Sequence, residues 1–472
     1  MIFLEEIEFL KQNFSTHIRE KPPSGEDPYW NKQVETMPRD EIERLQLGLL
    51  TIQIKRVYQK NMFFHEQFKR SNLTPEDIKS LKDLKRIPLM SKDDVRARMN
   101  PEDPTGGMLI VPFEKLRMFH TSTGTTGLRT FFAETTWDLE WTRELMCRIL
   151  WTAGVRPEKL FANFFGAAEV WHGGARNIHR ASYYMGAICV SGYSGAGPET
   201  ELERNYQILR YLKPRVIFYP FAGLTFYKEF VERKGVDPKE SVGNAETIIT
   251  AGDVVTSAIV KDVKDYWGFK RVCSAYQMGD TWLSGVSCPE THPNEVTNYE
   301  DTHIVECVDP ETGEEVAEGE RGVLVVTTLV SEAMPYLRWN MEDYVSLMRE
   351  KCVCGRTHCR TYWYGRVAFA LNVRGKIIFP SIIEEELYRL PEIGSKAIKT
   401  QFVKTSPTTQ DKLIVRIPPI KEKVIGIEDL KSRVKETLEK KLNIPIEIEV
   451  MSEDEVEKMS MVHKLIRVVK RY

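Results

Sequence analysis

Between residues 120 and 130 the chain reads His120-Thr-Ser-Thr-Gly-Thr-Thr-Gly-Leu-Arg-Thr130. Five hydroxyl side chains and two glycines fall within the seven residues Thr121 to Gly127. Glycines let a backbone come close to a ligand and take φ > 0. Exposed N–H groups and hydroxyls are donors for phosphate oxygens. The chemistry this segment suits is phosphate binding, although the same composition also makes a Ser/Thr-rich surface loop. It is not a Walker loop, because G-x-x-x-x-G-K-[ST] is absent. A second kind of chemistry is offered by Cys288-Pro-Glu-Thr-His292 and Cys352-Val-Cys354-Gly-Arg-Thr-His358-Cys359, the dense Cys/His groups of the sequence. Thiolates and imidazole in a tetrahedral set suit Zn²⁺. Neither half has the C-x₂-C spacing, and reduced surface cysteines are the competing reading.

These groups need a scaffold, and the chain of 472 residues is long enough for two or three domains at roughly 150 residues each. Lys plus Arg number 66 and Asp plus Glu 68, so the net charge is −2, which excludes a dedicated nucleic-acid binder. No apolar run reaches the roughly 18 residues of a transmembrane helix. The start, MIFLEEIEFLKQNF, carries acids where a signal peptide needs bases. A cytoplasmic protein is expected, with its eight cysteines reduced rather than paired.

The first hundred residues read as helices. Ile42, Leu45, Leu49, Ile52, Ile54 and Val57 recur near helical spacing over Arg39 to Lys60. A second helix is expected from Pro75 through Ile78, Leu81 and Leu84, capped by Thr74. A third starts at Ser91, with Asp94 completing a weak capping box. Beyond residue 118 short β-branched runs (160–165, 187–191, 216–219, 247–251, 271–278) alternate with helical stretches, which is the pattern of an α/β fold with a largely parallel sheet. Residues 302–329 read as a hairpin around Pro310-Glu-Thr-Gly313, a small antiparallel subdomain. After Gly365 strands surround helices at 381–390 and 427–442, an α+β unit of about a hundred residues.

Thr121-Ser-Thr-Gly-Thr-Thr-Gly127 resembles the phosphate loop of the adenylate-forming superfamily, and within it the chain resembles the phenylacetate–CoA ligases. The likeness runs from Tyr29 to the C-terminus. It includes Leu81-Lys-Asp-Leu-Lys-Arg-Ile-Pro-Leu-Met-Ser-Lys-Asp-Asp-Val-Arg96, and Ile378-Phe-Pro-Ser-Ile-Ile-Glu384 after Arg374-Gly375. The resemblance implies a large N-terminal adenylate-forming domain, 1–366, with mixed sheets and a small β subdomain, binding ATP and the acid. A smaller, mobile α+β C-terminal domain, 367–472, would be joined to it by a hinge.

It also implies roles. Ser122, Thr123, Gly124, Thr125, Thr126 and Gly127 would hold phosphate. Ala251-Gly252-Asp253 stands for the family's G-A-E-P beside adenine. Tyr276-Gln277-Met278-Gly279-Asp280 stands for Y-G-x-[ST]-E, with Tyr276 stacked on adenine and Asp280 near Mg²⁺, a cation that wants oxygen ligands. Asp343, in Pro335-Tyr-Leu-Arg-Trp-Asn-Met-Glu-Asp343, would accept both ribose hydroxyls. Arg366 would contact ribose or phosphate. The family's hinge G-R-x-D-D is Gly365-Arg366-Val367-Ala368-Phe369 here, without either aspartate. Lys464 matches the lysine of G-K-x-x-R-V, the catalytic cation of adenylation. Phe165, Gly166, Trp171, His172 and Gly173 would line the acid pocket. In a subset of such proteins similar Cys/His pairs imply a bound zinc. Cys288, His292, Cys352 and Cys354 are the expected ligands of a structural site, with His358 and Cys359 in reserve.

The implied activity is that of an acid–CoA ligase. ATP and a carboxylic acid, aromatic and phenylacetate-like, give an acyl-adenylate and pyrophosphate, and CoA then displaces AMP. ATP, Mg²⁺, CoA and structural Zn²⁺ are the expected cofactors, with neither nucleic acid nor membrane as partner; a homodimer is compatible. The alternatives are an adenylating enzyme with an amine or carrier-protein acceptor, to which Leu128-Arg129 in place of the family's Lys-Pro leaves room, and a non-catalytic nucleotide-binding relative.

Overall fold

Five short strands, four of them largely buried and the edge strand Ile188–Ser191 part-exposed, form the parallel half of the main sheet, in a computed structural model that describes residues 2–122, 129–165, 173–194, 198–420, 426–459 and 466–472. In spatial order they are Ile188–Ser191, Leu160–Asn163, Val216–Phe218, Thr247–Ala251 and Arg271–Gln277. Strands covered on both faces read as continuous apolar runs, and Val216–Phe218 is buried at every position. Helices Gly173–Tyr184, Glu199–Leu212, Phe221–Lys234 and Ser257–Trp267 connect them.

The sheet reverses direction at the loop 278–283. Gln277 pairs antiparallel with Ser284, and the Met278 N–H bonds the Leu283 carbonyl at 3.0 Å. Ser284–Ser287, Glu295–Asn298, Arg360–Arg366, Trp339–Met348, Arg321–Thr328 and His303–Val308 follow, all antiparallel, making eleven strands in one sheet. The expected hairpin is present, with His303 opposite Thr328 and Val308 opposite Val323. It is the wing of this sheet, because Arg321–Thr328 also pairs on its far side with Trp339–Met348.

Arg39–Lys60 is a helix with the expected bounds. The helix expected from Pro75 is instead two 3₁₀ turns, Pro75–Asp77 and Leu81–Arg86. Each opens on its own capping box, Thr74 with Asp77 and Ser80 with Asp83. Ser80 takes extended backbone to cap the second turn, so the two cannot join. Ser91 caps Lys92–Arg96, and Asp94 bonds back to the Ser91 N–H at 2.7 Å.

Residues beyond Leu371 have their own core, including Phe402, Leu413, Val415, Leu430, Val434 and Leu438. Helices Pro380–Tyr388 and Ile427–Leu442 accompany a four-stranded sheet ordered Ile446–Val450, Leu413–Ile417, Gln401–Lys404, Val468–Lys470. Among the described residues no helix is long and apolar enough to cross a membrane.

The N-terminal helices are tied to the main sheet through buried charge. Arg148, on helix Thr136–Thr152, is fully buried and donates to both oxygens of Asp301 at 2.9 and 3.0 Å. It also donates to the His17 carbonyl, while His17 Nδ1 lies 3.0 Å from Asp301 Oδ2. Removing one partner of a buried pair strands the other charge at a cost of about 3–5 kcal/mol. Asp301→Ala should lose about that much stability in urea unfolding, and adding Arg148→Met should restore part of it. An additive double variant would mean that the pair does not act as a unit.

Candidate functional site

The C-terminal ends of parallel strands are where α/β sheets bind ligands, and Gly252, Asp253, Tyr276, Gln277 and Asp280, singled out from the sequence, lie at two of these ends. Strand Thr247–Ala251 ends in Gly252, whose φ of +95° favours glycine, followed by Asp253. Strand Arg271–Gln277 ends in Tyr276 and Gln277 and runs into Met278, Gly279 and Asp280. Asp343 and Arg366 face each other across the antiparallel pair of Trp339–Met348 and Arg360–Arg366.

Asp343 is fully buried and collects three donors. The Tyr276 hydroxyl donates to Oδ2 at 2.6 Å, the Trp363 indole N–H to Oδ1 at 3.3 Å, and Arg366 Nε lies 3.2 Å from Oδ1. Burial, with the Asp343 carboxylate beside it, pushes the Tyr276 phenol well above its ordinary value, so it remains a donor. Trp363 stands edge-on to Tyr276, with ring centroids 5.7 Å apart. Arg366 also donates to the Met341 carbonyl at 3.0 Å. Carboxylate, two aromatic rings and a guanidinium together suit a planar base with a vicinal diol. A carboxylate has about four lone-pair sites, so accepting two hydroxyls here requires one protein donor to move aside.

The base of the phosphate-type loop is clasped. The Ser122 N–H donates to the Thr130 carbonyl at 3.0 Å, and the Thr130 N–H to the Ser122 hydroxyl at 3.1 Å. His120, on strand Leu116–Thr121, donates Nε2–H to the Gly279 carbonyl at 2.8 Å, which brings this stem beside the loop of Asp280. Thr123, Gly124, Thr125, Thr126 and Gly127 lie outside the described residues, as do Gly166, Trp171, His172 and Lys464. Of the acid-pocket set, Phe165 stacks on Phe218 with centroids 5.7 Å apart, and Gly173 opens helix Gly173–Tyr184.

Asp280 is buried with three partners. Lys92 Nζ lies 3.3 Å and Trp339 Nε1 3.0 Å from Oδ2, and the Thr281 N–H donates to Oδ1 at 3.0 Å. Burial alone would raise this carboxyl. The Lys92 ammonium, the Thr281 N–H and the Trp339 indole outweigh it and hold the group below the usual carboxylate range. Lys92 was not singled out from the sequence. Its signal was position: a lysine in the first turn of a helix stands against the macrodipole. Trp363 likewise went unmarked: strict alternation would set it on the face opposite to Arg366, but the register shifts between the pairs Tyr344–Gly365 and Val345–Trp363, and both residues reach Asp343.

The thiols of Cys288, Cys352 and Cys354 lie within 4.8 Å of one another. The sulfhydryls of Cys288 and Cys352 directed at Cys354 lower its thiol far below the ordinary range, and Cys288 is raised in turn. The Glu290 N–H points at Cys288 Sγ at 3.4 Å and Arg356 Nη1 at Cys354 Sγ at 3.5 Å, donors that suit thiolate. Tyr29 donates to the Cys354 carbonyl at 2.7 Å. Gly355 has φ +91°, and a Cβ there would sit 2.3 Å from the Tyr29 oxygen, so only glycine fits. The expectation for His292 is corrected. It stands outside the thiol group, with Nε2 3.0 Å from the Ser257 hydroxyl and Nδ1 accepting from the Asn294 N–H at 3.1 Å. Nor are the reserves brought in: both ring nitrogens of His358 are engaged, with the Glu300 N–H and the Val34 carbonyl, and Cys359 is buried apart.

No family model matches the sequence. The chain is 33% identical over 368 residues to the phenylacetate-coenzyme A ligase of Thermus thermophilus, an alignment covering 77% of this chain and 79% of that protein. It is 28% identical to the Escherichia coli protein of the same name, covering 76% of this chain and 79% of the other. Among solved structures, 2-hydroxyisobutyryl-CoA ligase in the postadenylation state with 2-HIB-AMP aligns with a TM-score of 0.83 at 22% identity, covering 95% and 94% of the two chains. The same ligase with 2-HIB-AMP and CoA in the thioesterification state aligns at 0.68, again at 22% identity, covering 95% and 93%. The likeness to the solved structures is one of fold.

The Lys92–Asp280 pair has a pH signature. A carboxyl whose folded pKa lies below the unfolded value stabilises the fold at pH above about 4, and loses that contribution as pH falls through the folded value. Lys92→Met removes the ammonium and raises Asp280. The variant should melt lower than wild type at pH 7, with the gap narrowing below about pH 4 as both proteins protonate Asp280. Melting curves from pH 3 to 8 check this, and a gap independent of pH would assign Lys92 to packing.

Proposed function

The chain belongs to the phenylacetate–coenzyme A ligase family, and from this premise we propose how its residues carry out AMP-forming acid–CoA ligation. The observation that carries the reading is the convergence of Tyr276, Trp363 and Arg366 on the buried Asp343. Adenine lies against Tyr276 beside Ala251, Gly252 and Asp253. The ribose takes Asp343, and Arg366 neutralises charge next to it. Ser122 to Gly127 hold the phosphates, and Ser122 and Thr130 clasp the stem of that loop. The acid, aromatic and phenylacetate-like, occupies the pocket of Phe165, Gly166, Trp171, His172 and Gly173, where an aromatic wall favours a flat substrate.

Lys464 stabilises the charge that develops as the acid carboxylate attacks the α-phosphate, an effect felt in the transition state more than in the ground state. Asp280 fits Mg²⁺, which is bound through one or two carboxylates plus phosphates and waters and supplies neutralisation of phosphate charge. Lys92 already sits on that carboxylate and contributes part of the same charge. Residues 1–366 bind ATP and acid, and residues 367–472 form the mobile C-terminal domain that alternates between adenylation and thioester formation. Cys288, Cys352 and Cys354 supply three thiolate ligands to a Zn²⁺ that would join the end of strand Ser284–Ser287 to the turn before Arg360. The reduced thiols suit a cytoplasmic protein.

Pyrophosphate release with a panel of acids, with and without CoA, tests the assignment. Release that requires a carboxylic acid, followed by CoA-dependent AMP release, is expected. Lys464→Ala should lower acyl-adenylate formation by about two orders of magnitude or more, while a pre-made acyl-adenylate is still converted to thioester by CoA. Equal loss in both half-reactions would remove Lys464 from the first step.

For the metal, purified protein should carry about one zinc per chain, and Cys352→Ser or Cys354→Ser should lose it together with thermal stability. Metal-free protein with unchanged melting would refute the zinc.

A further inference from the structure

We propose that Arg467, oriented by Glu384, is a positioning residue that docks the C-terminal portion onto Asp253 for adenylate formation and releases it for thioester formation. This rests on the alternating two-domain reading above. Arg467 is 9% exposed and precedes the last strand, Val468–Lys470. Its carbonyl accepts the Phe402 N–H at 2.7 Å, so its backbone belongs to the C-terminal sheet. Its Nη1 donates to both oxygens of Glu384, at 2.8 and 2.7 Å. Glu384 is fully buried on helix Pro380–Tyr388, also C-terminal.

The other end of the guanidinium crosses the boundary. Arg467 Nη2 lies 3.2 Å from Asp253 Oδ1, in the loop that follows strand Thr247–Ala251. No aligned hydrogen bond forms there: Arg467 Nε and Nη2 and Asp253 Oδ2 are buried without one. Charge-assisted hydrogen bonds of good geometry are about twice as strong as neutral ones. Arg467 therefore holds tightly to its own portion and loosely to its neighbour. Such a contact breaks across the boundary first, and it redocks without reorienting the arginine.

A second contact falls on the same loop. Glu385 Oε2 accepts the Ala258 N–H at 3.0 Å, a first-turn amide of helix Ser257–Trp267 that lacks a helical acceptor. Adjacent acids on one helix thus have separate tasks, Glu384 holding Arg467 and Glu385 gripping the seat. The seat, 253–258, directly follows Ala251 and Gly252, so nucleotide and docked portion share one loop. Lys464 lies three positions before Arg467 in sequence, so anchoring Arg467 restricts where that lysine reaches.

The test is a comparison of half-reactions in the full-length protein. Burial pushes the Glu384 carboxyl up to about 7 against the pull of Arg467. Without the arginine it takes a proton, so Arg467→Gln need not bury a charge. Arg467→Gln should slow acid-dependent pyrophosphate release about tenfold, the worth of one charge-assisted contact. Conversion of pre-made acyl-adenylate by CoA should stay within about twofold, since that step gains nothing from the docked contact. Arg467→Lys, which keeps the charge, should recover part of the first rate. Glu385→Ala, which leaves Arg467 in place, should show the same split more weakly. Equal slowing of both steps, or no slowing of the first, overturns the proposal. Click-labelled probes at Lys261 and Lys435 give a readout that needs no turnover. The inter-probe distance distribution should broaden in Arg467→Gln and Glu385→Ala, and an unchanged distribution counts against docking even if no acid on the panel reacts. Broadening in the variants together with no pyrophosphate release by the wild type would fault the ligase reading and leave the docking contact standing.

Discussion

A carboxylate with no exposure to water must find positive charge and hydrogen-bond donors within the fold, and Asp343 finds them in Arg366, Tyr276 and Trp363. That requirement fixes more than a binding group. Arg366 is the last residue of its strand and the N-cap of the 3₁₀ turn Val367–Phe369, after which the chain leaves the main sheet. Gly365, with φ +135°, turns the backbone just before it. The same ion pair therefore fixes both the candidate site's buried carboxylate and the end of the strand from which the chain leaves the main sheet. Asp343 thus anchors Arg366 at the point of departure.

Reversal of the sheet makes this convergence possible. Parallel strands deliver Gly252 and Tyr276 at their C-terminal ends, and the antiparallel strands that follow return Asp343 and Arg366 to the same edge. Asp280 lies in the reversing loop itself, held by Lys92 from the N-terminal helical layer and Trp339 from the antiparallel wing. Three layers of the molecule thus meet on one buried oxygen. Desolvation opposes this arrangement, and close countercharge offsets it.

The sequence was most legible where local signals stood unopposed. Arg39–Lys60, Thr247–Ala251 and Ile427–Leu442 have the bounds that periodicity and composition suggest. Where caps compete, the reading failed: Ser80 and Asp83 restart the chain after Asp77, and one expected helix becomes two turns. Residues 302–329 read as a hairpin, but the hydrogen bonds that join it to Trp339–Met348 are long-range and leave no local trace. Asp343, Tyr276 and Arg366 were found by motif. Trp363 and Lys92 were not, since their value lies in what the fold brings against them. His292 shows the converse, close to Cys288 in sequence yet spent on Ser257 and Asn294.

Gly355 admits the Tyr29 hydroxyl where any side chain would exclude it, and Tyr29 in turn holds the Cys354 carbonyl. Arg356 closes the same corner by its ion pair with Glu35, at 2.7 Å. The turn that carries Cys354 is thus covered from upstream, by residues more than three hundred positions away in the chain. A change at Tyr29 or Glu35 would therefore be felt first in the seating of that turn.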